Sequence, residues 1–114
     1  MTTHHLDDTQ PHAFWDNSYP ARLRIQPGDT VVFETLEATA GQVGPDSTSE
    51  AVRNLNFDLI HPLTGPVYVE GAVPGDALVV DIISIKHKGW GWNAVIPGFG
   101  LLAEDFTEPY LHLY

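Results

Sequence analysis

One device occurs twice in this chain and limits what it can fold into. Ile25 to Glu34 reads IQPGDTVVFE, and Val73 to Ile82 reads VPGDALVVDI. In each, an apolar residue leads into Pro-Gly-Asp, and alternating apolar residues follow. Proline presets φ for the first central position of a turn, and glycine supplies the positive φ that a type II turn needs next. Pro27 and Pro74 stand 47 positions apart. That is too far for a solenoid repeat and fits one turn-plus-strand unit used twice in a β-sandwich. The expected fold class is therefore all-β: a sandwich or jelly-roll-like domain with long loops and at most one short helix.

The remaining segments fit this frame. Residues 1–10, MTTHHLDDTQ, read as a flexible leader, and the β domain spans 11–114. PHAFWDNSYP sets Phe14, Trp15 and Tyr19 beside His12, Asp16 and Asn17, an extended stretch whose aromatics cover a core edge. Leu23 and Ile25 alternate with Arg22, Arg24 and Gln26, which gives a strand with one buried and one wet face. After the first Pro-Gly-Asp, Val31, Phe33 and Thr35 share one side of a second strand, so the turn makes a hairpin or a corner between sheets. GQVGPDSTSE is a surface loop. Ser49 to Leu55 forms one or two helical turns with Ser47 or Ser49 as the cap.

The longest ordered run is Asp58 to Ile85. Its last part, Leu78 to Ile85, is apolar on both faces except for Asp81, the pattern of a central strand covered on both sides. Asp81 then stands either at a sheet margin or paired in the interior, and the margin is favoured. Beyond it, Trp90 and Trp92 are two apart, so an extended backbone points both rings the same way. The closing EPYLHLY alternates like a strand cut off at its last residue.

Composition removes several function classes. Five Lys plus Arg against fifteen Asp plus Glu give a net charge of -10, which makes nucleic acid and anionic membrane surfaces poor partners. No apolar run approaches the ~20 residues of a membrane helix. Cysteine is absent, so the chain has no disulfide framework, no thiolate zinc site and no thiol nucleophile. The simplest compartment is the cytosol. None of the four serines, Ser18, Ser47, Ser49 and Ser84, sits in a nucleophile elbow.

Two constellations remain for chemistry. Asp58, His61 and Glu70 flank successive turns, because Pro62 pushes His61 out of the α region and Glu70 ends the strand Val67–Val69. Two carboxylates and an imidazole suit a Zn²⁺ site with an open position, although a satisfied structural histidine accounts for such spacing as well. The second group is His12, Asp16 and Asn17 beside Trp15, for which the plainer account is that Asp16 and Asn17 form a turn and His12 is a surface residue.

The strings FDLIHPLTGPVYVEGAVPGDALVVDI, GWGWNAVIPGFGLLAEDF and HAFWDNSYPARLRIQPGDTVVFET, in this order, resemble the acetamidase/formamidase family over residues 12 to 110. The resemblance implies a metal-assisted amidase. Its members hydrolyse small amides such as formamide or acetamide, with cyclic amides for some relatives, to a carboxylic acid and ammonia. It implies a divalent metal, Zn²⁺ first, with Asp58 and His61 as ligands and Glu70 as the catalytic base or a further ligand. Trp90, Trp92, Phe99, His12, Trp15 and Asp16 would wall the substrate pocket. Later glycine-rich and histidine-bearing segments of the family have no counterpart here. The chain thus corresponds to the amino-terminal portion, and a second polypeptide or carboxy-terminal half is an expected partner, as is a homo-oligomer. The rival expectation is a non-enzymatic β-sandwich module that binds a small ligand or a partner chain through its Trp-rich loop.

Overall fold

The Pro-Gly-Asp turns form as their sequences require. A computed structural model describes all residues from Met1 to Tyr114. In it Asp29 N donates to Gln26 O at 3.1 Å and Asp76 N to Val73 O at 3.1 Å. Gly28 and Gly75 take φ of 91° and 101°, a region that a residue with a Cβ enters only at a cost. The first turn is a corner. It joins β2 (Leu23–Ile25) to β3 (Thr30–Phe33), and these strands lie in different sheets.

Six short strands make three two-stranded sheets. β1 (Thr3–Leu6) pairs in parallel with β3, Thr3 opposite Thr30 and Leu6 opposite Phe33. β2 pairs in parallel with β4 (Val67–Val69), Leu23 opposite Val67. β5 (Trp92–Val95) pairs antiparallel with β6 (Tyr110–Leu113), Trp92 opposite Leu113. Two single 3-10 turns, Ser49–Val52 and Phe57–Leu59, are the only helical pieces. The all-β expectation holds. No helix is long and apolar enough to cross a membrane.

Three sequence-based expectations need correction. Residues 1–10 are not a structureless leader. β1 lies within them, and Leu6 is buried, because the Asp29 carboxylate accepts from Thr2 N and His4 Nε2 and so fixes the strand. The Ser49–Val52 turn is preceded by Thr48 without a side-chain cap bond, so neither serine caps it. Ser49 Oγ instead accepts from Leu111 N, and Ser47 Oγ from Gly44 N. The third correction is the largest. Leu78 to Ile85 belongs to no sheet and no helix. Leu78, Val79, Val80, Ile82, Ile83 and Ile85 are each at least 70% exposed. The apolar pattern is that of a covered strand, but nothing within this chain covers it.

The core is correspondingly small. Val43, Val52 and Thr39 are fully buried, where the 37–44 loop meets the Ser49–Val52 turn and β6 packs alongside. The loop holds itself by hydrogen bonds. Thr39 Oγ1 accepts from Val43 N at 2.9 Å, and the Gln42 amide exchanges bonds with Asn56 N and O. The radius of gyration is 17.4 Å, against about 13 Å for a compact chain of this length. Backbone groups form 33 mutual hydrogen bonds, where a self-sufficient domain this size has about 80. Burying each exposed Val, Leu or Ile would contribute about 1.5–3 kcal/mol, so this fold leaves a large stabilisation unused.

Candidate functional site

Four of the expected site residues, Trp90, Trp92, His12 and Asp58, line two clefts that the 37–40 segment separates. The first cleft, of about 790 Å³, is lined by Trp90, Trp92, Glu34, Glu37, Lys86 and Lys88 among others. The second, of about 500 Å³, brings together His12, Phe14, Tyr19, Arg22, Asp58 and Pro62, again among others. Ala38 lines the first and Ala40 the second. Ala38 O accepts from His61 N at 2.7 Å, which pins the His-Pro bend onto this dividing wall.

In the second cleft two distant parts of the chain meet. His12 and Leu63 exchange backbone hydrogen bonds, N to O at 3.1 Å and 2.7 Å. This bridge lays the aromatic segment beside the His61-Pro62 bend, and the His12 ring packs edge-on to Tyr19 with centroids 5.2 Å apart. Asp58 sits in the Phe57–Leu59 turn, whose first residue follows Asn56. Asn56 Oδ1 accepts from Asp58 N at 3.0 Å and so caps the turn. His61 takes φ of 59°, the left-handed region that histidine enters more readily than most residues. Clash with the following proline excludes the right-handed region. The side chains of His12, Asp58 and His61 make no hydrogen bond within the chain, and Asp58 and His61 are exposed. These three polar groups are free to take a ligand.

Other expected residues are already engaged. Glu70 Oε1 accepts from Arg24 Nε at 2.7 Å, and the guanidinium lies 3.8 Å from the centre of the Tyr68 ring. This brace locks β2 to β4 and does not line either cleft. Asp16 Oδ1 accepts from Ser18 N at 2.8 Å, and those Ser18 hydrogen bonds hold its carboxyl below the usual range. It shapes a turn. Trp15 is 95% exposed and faces neither cleft, and Phe99 packs on Phe57 at 5.3 Å between centroids. The expected grouping of Asp58, His61 and Glu70 therefore does not form. No three His, Asp or Glu side chains converge on a point that could hold a metal ion. The residues of this chain alone do not fit a metal centre.

Sequence reasoning missed Glu37. Partial burial pushes its carboxyl up, yet bonds from Thr39 Oγ1 and N, Gly41 N and Trp92 Nε1 outweigh that and hold it low. One anion thus orders the loop and orients Trp92 in the first cleft. Only the small donors at Thr39 and Gly41 hinted at it, and a loop of that composition is too common to single out.

Comparison with known proteins now gives the cleft its context. The acetamidase/formamidase family profile matches residues 2–113. The chain belongs to the acetamidase/formamidase family. It is 36% identical over 107 residues to a formamidase from Methylophilus methylotrophus, and 33% identical over 112 residues to an acetamidase from Mycolicibacterium smegmatis. Those matches cover 89% and 87% of this chain but 26% and 28% of the relatives. The chain spans about a quarter of the length of these amidases. Among solved structures, an acetamidase from Bacillus halodurans shares its fold with a TM-score of 0.82 at 33% identity, over 96% of this chain and 36% of that one. A predicted acetamidase/formamidase from Thermoanaerobacter tengcongensis shares the fold alone, with a TM-score of 0.85 at 24% identity.

Proposed function

We propose that this chain supplies part of an amide-hydrolysing centre. The overall reaction adds water across a small linear amide: hydroxyl goes to the acyl carbon, the C–N bond breaks, and the proton reaches the departing nitrogen, giving a carboxylic acid and ammonia. The observation that carries this reading is the likeness along nearly the whole chain to a formamidase and an acetamidase. Formamide-like and acetamide-like substrates follow from those relatives' names, and the second cleft, which mixes apolar walls with a few polar groups, has room for either.

His12 and Asp58 are this chain's contribution. Both line the second cleft with uncommitted side chains. A carboxylate accepts hydrogen bonds from an amide –NH₂ or an incoming water, and an imidazole both donates and accepts a proton through its two ring nitrogens. Glu70, held by Arg24, is a brace in this scheme and not the base. A divalent metal, Zn²⁺ first, would draw on Asp58 and His61 only alongside donors from outside this chain, because three ligands do not converge here. A complementary polypeptide carrying the rest of the amidase fold completes the centre. Assembly of the completed unit into a homo-oligomer and a cytosolic setting belong to the same proposal.

The test is ammonia release. The chain is co-expressed with the part of the Bacillus halodurans acetamidase that lies beyond the match, and the purified complex is assayed with formamide and acetamide. Hydrolysis by the complex that falls at least ~100-fold in Asp58→Asn and His12→Ala supports the reading. A stable complex that releases no ammonia from either amide overturns it.

A further inference from the structure

The two Pro-Gly-Asp turns agree bond for bond internally. Asp29 Oδ2 accepts from Gln26 N at 3.0 Å, and Asp76 Oδ2 from Val73 N at 2.9 Å. Outside the turn they differ. Asp29 Oδ1 also accepts from Thr2 N at 2.9 Å, and Oδ2 from His4 Nε2 at 3.0 Å. The residues after the first turn then pair in parallel with β1. Asp76 Oδ1 has no partner, and Ala77 to Lys88 makes no backbone hydrogen bond at all. The second device is the first device without its β1.

We infer that Ala77–Ile85 is a docking strand for the complementary polypeptide of the amidase, which lays a parallel strand against it and donates to Asp76 Oδ1. The first device shows the geometry. By the 47-residue offset, Thr30–Phe33 corresponds to Ala77–Val80, so the incoming strand occupies the place that Thr3–Leu6 takes beside β3. Both faces of Leu78–Ile85 are mainly apolar and exposed, with Asp81 on one and Ser84 on the other, so the partner must also bring a largely apolar layer to each side. A sheet from a larger fold does this, whereas a single added peptide strand covers one edge.

The partner's identity follows from the family match. The Bacillus halodurans acetamidase takes up 96% of this chain, and the unmatched remainder is shorter than the arm. At least part of the arm is therefore matched in a protein where nearly two-thirds of the chain lies beyond the match. A second copy of this chain fits less well. Each copy carries a net charge of -10, and its β1 is already paired. This inference deepens the proposal that a second polypeptide completes the site, and takes the partner from it.

Hydrogen exchange on the co-expressed complex tests it apart from catalysis. In the chain alone, the amides of Ala77–Ile85 exchange at unprotected rates. In the complex they slow at least ~10-fold, and Val80→Pro cuts co-purification at least ~10-fold. The same substitution leaves the circular dichroism and urea midpoint of the isolated chain unchanged, because the arm lies outside its core. Protection of the arm in a complex without hydrolysis supports the docking strand and counts only against the catalytic reading. Four outcomes overturn it: unchanged exchange in the complex, undiminished co-purification of Val80→Pro, no binding by the wild-type chain, or an isolated chain that self-associates with the arm protected.

Discussion

Trp92 Nε1 donates to Glu37 Oε1 at 2.9 Å, joining residues 55 positions apart. The bond fixes β5 to the loop that contains two of the three fully buried side chains, and it sets the wall of the first cleft. Glu37→Ala removes the acceptor for Thr39 Oγ1, Thr39 N, Gly41 N and Trp92 Nε1 together. Leaving partly buried donors unpaired costs about 1–3 kcal/mol. Urea unfolding should show that loss, and the near-UV dichroism of Trp92 should weaken. Trp92→Phe, which deletes one bond, costs about 1 kcal/mol.

The buried core is so small that one truncation matters. Val52 is wholly buried, and Val52→Ala leaves a cavity beside Val43 and Thr39. The expected loss is about 2 kcal/mol, read as a lower urea midpoint with an unchanged slope. A shift within about 0.3 kcal/mol would show that stability lies elsewhere.

Stability should respond to acid through Asp29. The His4 side-chain bond, with backbone bonds from Gln26 and Thr2, lowers its carboxyl from 3.8 to about 2. A depressed pKa means the folded state favours the ionised form. The contribution is therefore complete above pH 3.8 and is lost as pH falls through about 2. The stability gap between wild type and Asp29→Asn should hold from pH 7 to about 4, then close toward pH 2. Amides of Thr3–Leu6 should lose protection first. A gap that stays constant down to pH 2 contradicts the assignment.

The twin glycines should differ in cost. Gly28 and Gly75 both have positive φ and open space where a Cβ would stand, so alanine at either strains only the backbone. Gly28→Ala should cost about 1 kcal/mol, since β3 and β1 depend on that corner. Gly75→Ala in the isolated chain should change the urea midpoint by less than about half as much, because the segment it launches packs on nothing.

Much of the fold was legible because local chemistry settles it. The Pro-Gly-Asp turns, the alternation at Leu23 and Ile25, and the strand at Tyr110–Leu113 form where the pattern puts them. The order in Thr3–Leu6 was not legible, since it comes from a carboxylate 25 residues away reaching His4. The Leu78–Ile85 pattern reads as a covered strand, whereas in this chain its apolar side chains are exposed, since a run of apolar residues does not say what would cover it. For the site, Asp58 and His12 were found as residue types, and only the His12–Leu63 bridge puts them in one cleft. Glu70 misled because an acid ending a strand reads the same whether it faces substrate or an arginine across the sheet.

The most direct measurement of whether this chain is part of an amidase centre is ammonia release by its purified complex with the complementary acetamidase portion. Wild-type complex should hydrolyse formamide or acetamide, Asp58→Asn should lose at least ~100-fold in kcat/KM, about 2.7 kcal/mol of transition-state stabilisation, and Glu70→Gln should lose far less. Full activity in Asp58→Asn, with the complex intact, would contradict the placement of the site.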